Sequence, residues 1–455
     1  MGRLFGTDGA RGIAISELTC EMAMNIGRAA ALVLTETTTL KPKILIGKDT
    51  RISCDVLEAA LIAGICSVGA DVHLLGVVPT PAVAYLVKKY NADAGVMISA
   101  SHNSAEFNGI KLFSADGFKL PDEIEERIEN LILDYPEDMK VCDGAYIGRV
   151  YHEKNAEWDY VRHVMKASDG YKGIKVAIDC ANGAASQSAV KLFQGLGATC
   201  FFINNEPDGI NINKNCGSTS LESLSAAVKR HKCDIGLAFD GDADRCLAVD
   251  ENGEVLDGDK MLAIFSMYLK AQGKLKSNAC VVTVMTNLGF FRFAKDAGIL
   301  VSTTAVGDRY VLENMLKHDY NLGGEQSGHV IFLDHSTTGD GELTGVMLLN
   351  VMQKTGKKLS ELANMMYKYP QVLVNVKINS ESKGKWQDIK EIQDEISLYK
   401  EKLGDDGRVL VRESGTEPLV RVMIEGKQYG VVLQYANAIA KVIRERLGNA
   451  DEADN

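Results

Sequence analysis

The sequence predicts an α/β protein built from three similar mixed-sheet α/β domains and a smaller C-terminal α+β domain. The chain has 455 residues, which is too long for one hydrophobic core and corresponds to about three or four domains. Short β-branched runs alternate with longer helical stretches, as in strand–helix units with mixed or parallel sheets. After Tyr369-Pro370-Gln371 the pattern changes to a strictly alternating strand at 372–378.

The order of these segments predicts domains at 1–153, 154–253, 254–368 and 369–455. The predicted strands are 43–47, 71–75, 94–99, 175–180, 199–203, 235–239, 246–249, 279–284, 301–305, 372–378, 409–412 and 419–425. The predicted helices are 56–68, 82–89, 185–196, 260–271, 310–317, 342–353 and 431–447. The helix at 56–68 is apolar nearly all round, which predicts that it is buried.

The composition is that of a globular protein, with 46% apolar and 24% charged residues. A net charge of −11 opposes binding to nucleic acid or to an anionic membrane surface. No apolar run approaches the ~18 residues of a membrane-spanning helix, and the N-terminus lacks the apolar stretch of a signal peptide. The ten cysteines form no C-x-x-C pair, so we expect reduced thiols and a cytoplasmic protein.

Four polar loops follow predicted strands, where ligands bind in open α/β sheets. The first is Ser99-Ala100-Ser101-His102-Asn103. A serine here could carry a phosphate, which brings roughly −1.5 to −2 charges and three acceptor oxygens. A plain Ser/Asn-rich turn is the alternative that the residues alone leave open.

The second loop, Asp240-Gly241-Asp242-Ala243-Asp244-Arg245, carries three carboxylates at alternate positions. They repel one another unless a cation lies between them, and oxygen-only ligands suit Mg²⁺. The spacing also resembles an EF-hand, but Arg245 stands where that loop needs glycine, and 246–249 is a predicted strand. A solvated acidic turn remains an alternative.

The other two loops are weaker signals when taken alone. Gly323-Gly324-Glu325-Gln326-Ser327-Gly328-His329 offers donors and acceptors suited to sugar hydroxyls, or forms a tight turn. Arg412-Glu413-Ser414-Gly415-Thr416-Glu417-Pro418, with Arg421 beyond it, could bind a phosphate, or could be a turn between edge strands. The chain has no Walker loop, no dinucleotide fingerprint after a strand and no H-x-x-x-H zinc spacing.

Together these loops resemble, in order and over the whole chain, the motifs of the α-D-phosphohexomutases, a family of four-domain phosphoserine enzymes. Phe5-Gly6-Thr7-Asp8-Gly9-Ala10-Arg11-Gly12 is similar to the N-terminal motif on the phosphate side, and Asn108-Gly109-Ile110-Lys111 to the segment with a general acid/base lysine. The resemblance implies a central cleft between the domains and phosphoryl transfer between phosphoserine and phosphosugar through a 1,6-bisphosphate.

The resemblance also implies the site residues. The implied catalytic residues are Ser101 as phosphoserine, Lys111 as proton shuttle, Arg11, Arg245 and His329. The implied substrate-binding residues are Glu325, Ser327, Arg412, Ser414, Gly415, Thr416 and Arg421. The implied metal ligands are Ser101, Asp240, Asp242 and Asp244. The cofactors would be Mg²⁺ and glucosamine or glucose 1,6-bisphosphate as activator, in a monomer or homodimer.

Two details favour the branch that acts on glucosamine phosphates and feeds UDP-N-acetylglucosamine and cell-wall precursor synthesis. They are Gln326 and Val306-Gly307-Asp308-Arg309-Tyr310-Val311. Ser104 and Phe107 depart from the family pattern, which makes Ser104 a second candidate for phosphorylation. The alternatives are glucose or mannose phosphate mutases of the family, a sugar-phosphate phosphatase, and a sensor that binds phosphosugars without turnover.

Overall fold

The computed structural model describes residues 3–6, 8–38, 40–413 and 418–448, which form two compact units. Unit 1 comprises Met1–Met285 and Ala297–Met365, and unit 2 comprises Thr286–Asp296 and Met366–Asn455. Unit 1 contains three mixed sheets and unit 2 contains one antiparallel sheet. The predicted fold class of three α/β domains and a smaller α+β domain is therefore confirmed.

The first sheet of unit 1 has six strands, and four helices accompany it. In chain order these elements are β1 (Ala10–Ile13), α1 (Cys20–Leu34), β2 (Lys43–Lys48), α2 (Cys54–Ser67), β3 (Asp71–Val77), α3 (Thr80–Lys89), β4 (Ala94–Ile98), β5 (Phe107–Ser114), α4 (Asp122–Leu133) and β6 (Val150–His152). The strand order is β1-β5-β4-β2-β3-β6. Because β2 is parallel to β4, the loops that follow these two strands leave the same edge of the sheet.

The second sheet has the order β11-β10-β9-β7-β8, with β7 parallel to both β8 and β9. Its elements are α5 (Ala156–Met165), β7 (Lys175–Asp179), α6 (Ala185–Gly195), β8 (Thr199–Ile203), α7 (Glu222–His231), β9 (Ile235–Phe239), β10 (Cys246–Asp250) and β11 (Val255–Leu256). All five residues of β9 and all five of β10 are buried, as expected for central strands with apolar sequences.

The third sheet has the order β13-β12-β14-β15. The elements of this region are α8 (Gly258–Ala271), β12 (Ala279–Thr283), α9 (Leu288–Asp296), β13 (Leu300–Thr304), α10 (Asp308–His318), β14 (Leu322–Gly324), β15 (Val330–Phe332), α11 (Gly341–Thr355) and α12 (Leu359–Ala363). Although α9 lies in the middle of this region of the sequence, it belongs to unit 2.

Unit 2 is a three-stranded antiparallel sheet with the order β16-β18-β17. Its remaining elements are β16 (Gln371–Lys377), α13 (Lys390–Leu403), β17 (Gly407–Glu413), β18 (Leu419–Gly426) and α14 (Tyr429–Leu447). Asn287, just before α9, donates through Nδ2 to Glu425 Oε1 and to the carbonyl of Tyr369, both at 3.0 Å. These two buried hydrogen bonds explain why α9 belongs with unit 2.

One sequence prediction about the first domain is wrong. The helix predicted at 56–68 is α2, but only one face of it is buried, and Val56 is 49% exposed. The buried face packs against α1 at small residues: a Cβ atom at Gly64 would lie 2.1 Å from the carbonyl oxygen of Met24. Close backbone packing therefore replaces burial all round the helix, and apolar residues remain on the solvent face.

A buried carboxyl joins two helices of unit 1. Asp340 Oδ1 accepts hydrogen bonds from the backbone N–H of Leu343, at the start of α11, and from the hydroxyl of Tyr160 in α5, both at 2.9 Å. Burial raises the pKa of Asp340 to about 6, against the favourable effect of these hydrogen bonds. The folded protein therefore binds a proton at Asp340 more readily than the unfolded chain does.

This shift predicts the sign of a pH effect on stability. The free energy of unfolding should contain a contribution from Asp340 that is present below pH ~4 and is lost as pH rises through about 6. Asp340→Asn keeps a residue that can cap the helix but removes the titrating group. Between pH 4 and pH 8, the free energy of unfolding of the variant should therefore rise by roughly 1–3 kcal/mol relative to that of wild type. Urea unfolding at both pH values measures this difference, and a constant difference would contradict the prediction.

Candidate active site

The structure brings together the predicted site residues of unit 1, most of them just after the ends of strands. Ser101 follows β4, Lys111 lies in β5, and the three aspartates follow β9. The side chains of Ser101, Lys111, Asp240, Asp242 and Asp244 are all buried. The site therefore combines a hydroxyl, an ammonium group and three carboxylates away from water.

Ser101 is hydrogen-bonded to the acidic loop. Its Oγ donates to Asp240 Oδ2 at 2.6 Å, and it lies 3.3 Å from Nδ1 of His102. The φ angle of Ser101 is +52°, a left-handed conformation that costs a non-glycine residue about 1–2 kcal/mol. Such a conformation persists where the surrounding contacts fix the backbone, as they do here.

The three aspartates form a compact oxygen cluster. One carboxylate oxygen from each of Asp240, Asp242 and Asp244 lies within 4.8 Å of the others. Among the described residues, Asp242 Oδ1 and Asp244 Oδ1 are buried without a hydrogen-bond partner. Burial and the two neighbouring carboxylates raise the pKa of Asp240 well above its ordinary value. Orphaned oxygens and strong mutual repulsion fit a hard divalent cation at this cluster.

Lys111 supplies positive charge to the same cluster. Its Nζ lies 2.7 Å from Asp242 Oδ2, 3.1 Å from Asp8 Oδ2 and 3.3 Å from Asp244 Oδ2. Burial alone would lower the pKa of Lys111, but the three carboxylates hold it well above its usual range. In this arrangement Lys111 is an ammonium ion and a hydrogen-bond donor.

Two arginines border the cluster. Arg11 forms an ion pair with Asp8, and Arg245 Nη1 lies 3.1 Å from His102 Nδ1. Within the described chain, Nε of Arg11 and Nε of Arg245 are buried without an acceptor. Burial, then Arg245 and Arg11, lower the pKa of His102 to about 4, so the imidazole is neutral and accepts from Arg245. Arg245 Nε does lie 3.8 Å from Asp244 Oδ1, an ion-pair distance that is too long for a hydrogen bond. The two N–H groups without an acceptor suit an anion such as phosphate.

The predicted sugar-binding loop lies in the same unit, between β14 and β15. His329 is buried, with its Nε2 accepting from the backbone N–H of Gly339 at 3.1 Å and its Nδ1 lying 3.6 Å from Asp244 Oδ1. Glu325 Oε1 accepts from the backbone N–H of Gly307 at 3.2 Å. The hydroxyl of Ser327 is buried and has no hydrogen-bond partner in the part of the chain described.

Unit 2 contains the predicted arginines of the last domain. Arg412 in β17 and Arg421 in β18 are cross-strand neighbours. Burial and the charge of Arg421 lower the pKa of Arg412, and Arg412 Nε is buried without an acceptor among the residues described. The other predicted phosphate ligands, Ser414, Gly415 and Thr416, lie outside the described residues.

Several contributors to the site were not among the sequence-predicted residues. Lys119 lies between Asp8 and Asp308, which are both ion-paired with it. Thr80, at the start of α3, donates through Oγ1 to Asp242 Oδ2 at 2.6 Å. His102 accepts from Arg245, as described above. Asp8 and His102 lie inside motifs that the sequence analysis quoted, whereas Lys119 and Thr80 have no local signal and become visible only through tertiary contacts.

Unit 1 thus carries a serine beside a cluster of three carboxylates, and unit 2 carries a pair of neighbouring arginines. Four models described as phosphoglucomutase/phosphomannomutase domains match the chain: α/β/α domain I at 2–139, domain II at 158–253, domain III at 257–369 and the C-terminal domain at 373–442. The chain belongs to this family, which confirms the predicted resemblance.

Full-length relatives agree with the family models. The chain is 57% identical to a phosphoglucosamine mutase of Acetivibrio thermocellus over 98% of this chain and 100% of that one, and 52% identical to one of Clostridioides difficile with the same coverage. As a member of this family with such relatives, the protein is a phosphosugar mutase and therefore an isomerase.

Solved structures share the fold. A phosphoglucomutase/phosphomannomutase family protein of Burkholderia thailandensis has a TM-score of 0.82 at 22% identity, with coverage of 99% of this chain and 98% of that chain. The Aspergillus fumigatus N-acetylphosphoglucosamine mutase in complex with GlcNAc-6P and magnesium has a TM-score of 0.71 at 17% identity, covering 97% and 95%. Within the described residues, no helix is both long and apolar enough to cross a membrane.

The position of Lys111 predicts competition with the cation. Lys111→Met removes a positive charge from the carboxylate cluster, and such a charge at ~4 Å interacts with another by about 4 kcal/mol at an effective dielectric constant of 20. Because the ammonium group can move aside, we expect a smaller gain, about tenfold tighter binding of a divalent cation. Calorimetric titration of metal-free protein with Mg²⁺ or Mn²⁺ measures this.

The control for this prediction is Lys172→Met, which removes an exposed lysine. That variant should bind the cation as wild type does. Unchanged or weaker binding by Lys111→Met would mean that the ammonium group does not oppose the cation.

Proposed function

We propose that the protein interconverts glucosamine 6-phosphate and glucosamine 1-phosphate through a phosphoserine at Ser101. The observation that carries this proposal is the hydrogen bond of 2.6 Å from Ser101 Oγ to Asp240, inside a buried cluster of carboxylates and cations. Phosphoryl transfer needs an oxygen held in line and charge placed around it, and these residues offer both.

The family and the relatives support the amino-sugar substrate. The full-length relatives that are 52–57% identical are named phosphoglucosamine mutase. Glu325 is the carboxylate that we assign to the sugar. A carboxylate gains more from a protonated amine than from a neutral hydroxyl, by about 1 kcal/mol where water is excluded.

The cation is proposed to be Mg²⁺, held by Asp240, Asp242, Asp244 and the phosphate on Ser101. Bound there, it would neutralise charge that develops on the transferring phosphoryl group. Binding of the cation to Asp242 and Asp244 would also occupy two of the three carboxylates that keep Lys111 protonated. The pKa of Lys111 would fall, so the lysine could release and accept a proton more readily.

The chain's own residues account for the remaining steps. The sugar hydroxyl attacks the phosphorus on Ser101, its proton passes to Lys111 in its neutral amine form, and the Ser101 oxygen leaves on the side of Asp240. Arg11 and Arg245, whose buried Nε–H groups have no acceptor among the described residues, bind the transferring phosphate in this proposal. The 1,6-bisphosphate then turns over and returns its other phosphate to Ser101, with the proton travelling back from Lys111.

The proposed function assigns roles to the remaining predicted residues. Glu325 and Ser327 bind the sugar, and Arg412 and Arg421 bind the phosphate that does not react. His329, which lies 3.6 Å from Asp244, is proposed as a catalytic residue. Glucosamine or glucose 1,6-bisphosphate is proposed as the activator that phosphorylates Ser101. The domain bounds at 153, 253 and 368, a monomeric or homodimeric state and a cytoplasmic location stay predictions; the ten free cysteines are consistent with the last.

Ser101→Ala tests the phosphoserine directly. Turnover should fall by at least about 10⁴-fold, because the residue that accepts and donates the phosphoryl group is gone. The melting temperature should change little, since Ala keeps the small buried side chain. Mass spectrometry should find phosphate on the peptide with Ser101 in wild type and none in the variant. Ser104→Ala is the control and should retain both phosphate and turnover; phosphate found only on Ser104 would overturn the assignment.

Substrate preference tests the amino-sugar proposal. We expect kcat/KM to be highest for glucosamine phosphate, by about fivefold over glucose or mannose phosphate, which corresponds to the ~1 kcal/mol above. Each phosphosugar is assayed with its own bisphosphate. Equal or higher values for glucose or mannose phosphate would assign the chain to another branch of the family, and free phosphate in place of isomer would indicate a phosphatase.

A further inference from the structure

Arg51 is a buried arginine outside the site described so far. It follows β2, and its side chain is 0% exposed. Its Nε donates to Asp49 Oδ2 at 2.9 Å, and the Asp49 side chain is also 0% exposed. The two opposite charges compensate one another, so the pair is close to neutral in its surroundings.

The remaining N–H groups of Arg51 all point to the loop that carries Ser101. Nη2 donates to the carbonyl oxygens of Ser101 at 3.0 Å and Asn103 at 2.8 Å. Nη1 donates to the carbonyl of Phe107 at 3.0 Å and, in a closer contact, to that of Ser104. A guanidinium group has five N–H donors, and each one here has an acceptor.

We propose that Arg51 is the positioning residue of the phosphoserine loop, an inference that rests on the proposed role of Ser101. The planar guanidinium fixes four carbonyl groups between residues 101 and 107, around the residue whose φ is +52°. Asp49 extends the same network, because it also accepts from Ser99 Oγ at 2.7 Å, and Ser99 Oγ accepts from the backbone N–H of Ser101 at 2.9 Å. The backbone on both sides of Ser101 is thereby tied to one ion pair.

Positioning, and not charge stabilisation, is what this geometry supplies. Arg51 is neutralised by Asp49 and has no donor left for a phosphate. Arg11 and Arg245 differ in this respect, since each keeps a buried Nε–H without an acceptor in the described residues. Arg51 therefore acts on the transferring group through the place at which it holds Ser101 Oγ.

Asn213 makes a second, independent attachment to the same carbonyls. It follows β8, and its Nδ2 donates to the carbonyl of Ser101 at 2.8 Å and to that of Asn103 at 2.9 Å. The Ser101 loop is thus hydrogen-bonded to Arg51 from the region of the first sheet and to Asn213 from the region of the second sheet. Loss of either side chain should loosen the loop without removing it from the site.

The experiment compares Arg51→Lys with wild type. Lysine keeps the charge beside Asp49 but offers three donors on one nitrogen, which cannot reach four carbonyls in a plane. We expect kcat to fall about 10²-fold, the loss that a displacement of ~1 Å can cause, with KM within twofold. Hydrogen exchange of the loop amides should be faster, and a larger share of Ser101 phosphate should be lost to water as free phosphate.

The matched control is Arg408→Lys, because Arg408 is another arginine on a buried carboxylate: it bonds Glu425 Oε2 and the carbonyl of Thr286. The melting temperature of Arg408→Lys should fall as that of Arg51→Lys does. Its kcat and its partition between isomer and free phosphate should stay those of wild type. Should Arg51→Lys not fold, Asn213→Ala removes two hydrogen bonds from the same carbonyls and should change exchange and partition in the same direction.

The outcomes separate this inference from the proposed function. Equal loop exchange and an equal partition in wild type and Arg51→Lys would overturn the positioning role, even with Ser101 phosphorylated. Absence of phosphate on Ser101 of active wild type would overturn the proposed function, and with it the inference.

Discussion

The repulsion among Asp240, Asp242 and Asp244 is the constraint on which the site depends. Without partners, three carboxylates in a buried loop would each lose several kcal/mol of hydration free energy. The surrounding residues are arranged to compensate: Lys111 contacts two of the carboxylates, His329 lies beside Asp244, and Ser101 donates to Asp240. Two carboxylate oxygens nevertheless keep no hydrogen-bond partner in the described residues, so a cation still has ligands to engage.

Sheet topology explains how distant segments reach this cluster. Parallel strands end at the same edge of a sheet, so the loops after β2 and β4 lie side by side, and Arg51 can reach the Ser101 loop. In the second sheet β8 and β9 are both parallel to β7, so the loops that follow them leave the same edge. These loops carry Asn213 and the three aspartates. The chemistry of unit 1 thus lies where two sheets present their carboxyl-terminal edges to one another.

Most of the described strands could be predicted from the sequence because their apolar periodicity is local; β8 and β9 have the predicted bounds. Several helices, among them α1 and α4, were not predicted. The strands β1 and β6 were not predicted, because Ala-Arg-Gly-Ile and the exposed Val-Tyr-His carry no such pattern and become strands through pairing with β5 and β3. The acidic loop and the serine loop were found because several reactive groups stand together in sequence. Arg51 and Asn213 were missed because their roles lie in contacts with distant backbone carbonyls, which leave no mark on the residues around them.

The arginines divide into two classes that hydrogen bonding separates. A buried N–H without an acceptor costs about 1–3 kcal/mol, so a fold retains it where a ligand supplies the acceptor. Arg11, Arg245 and Arg412 each keep a buried Nε–H without an acceptor in the described chain, and all three bind phosphate in the proposed function. Arg51 has an acceptor for every N–H group and a carboxylate for its charge. In the proposed function, the arginines with an unsatisfied donor bind phosphate, whereas Arg51, with every donor satisfied, holds the Ser101 loop in place.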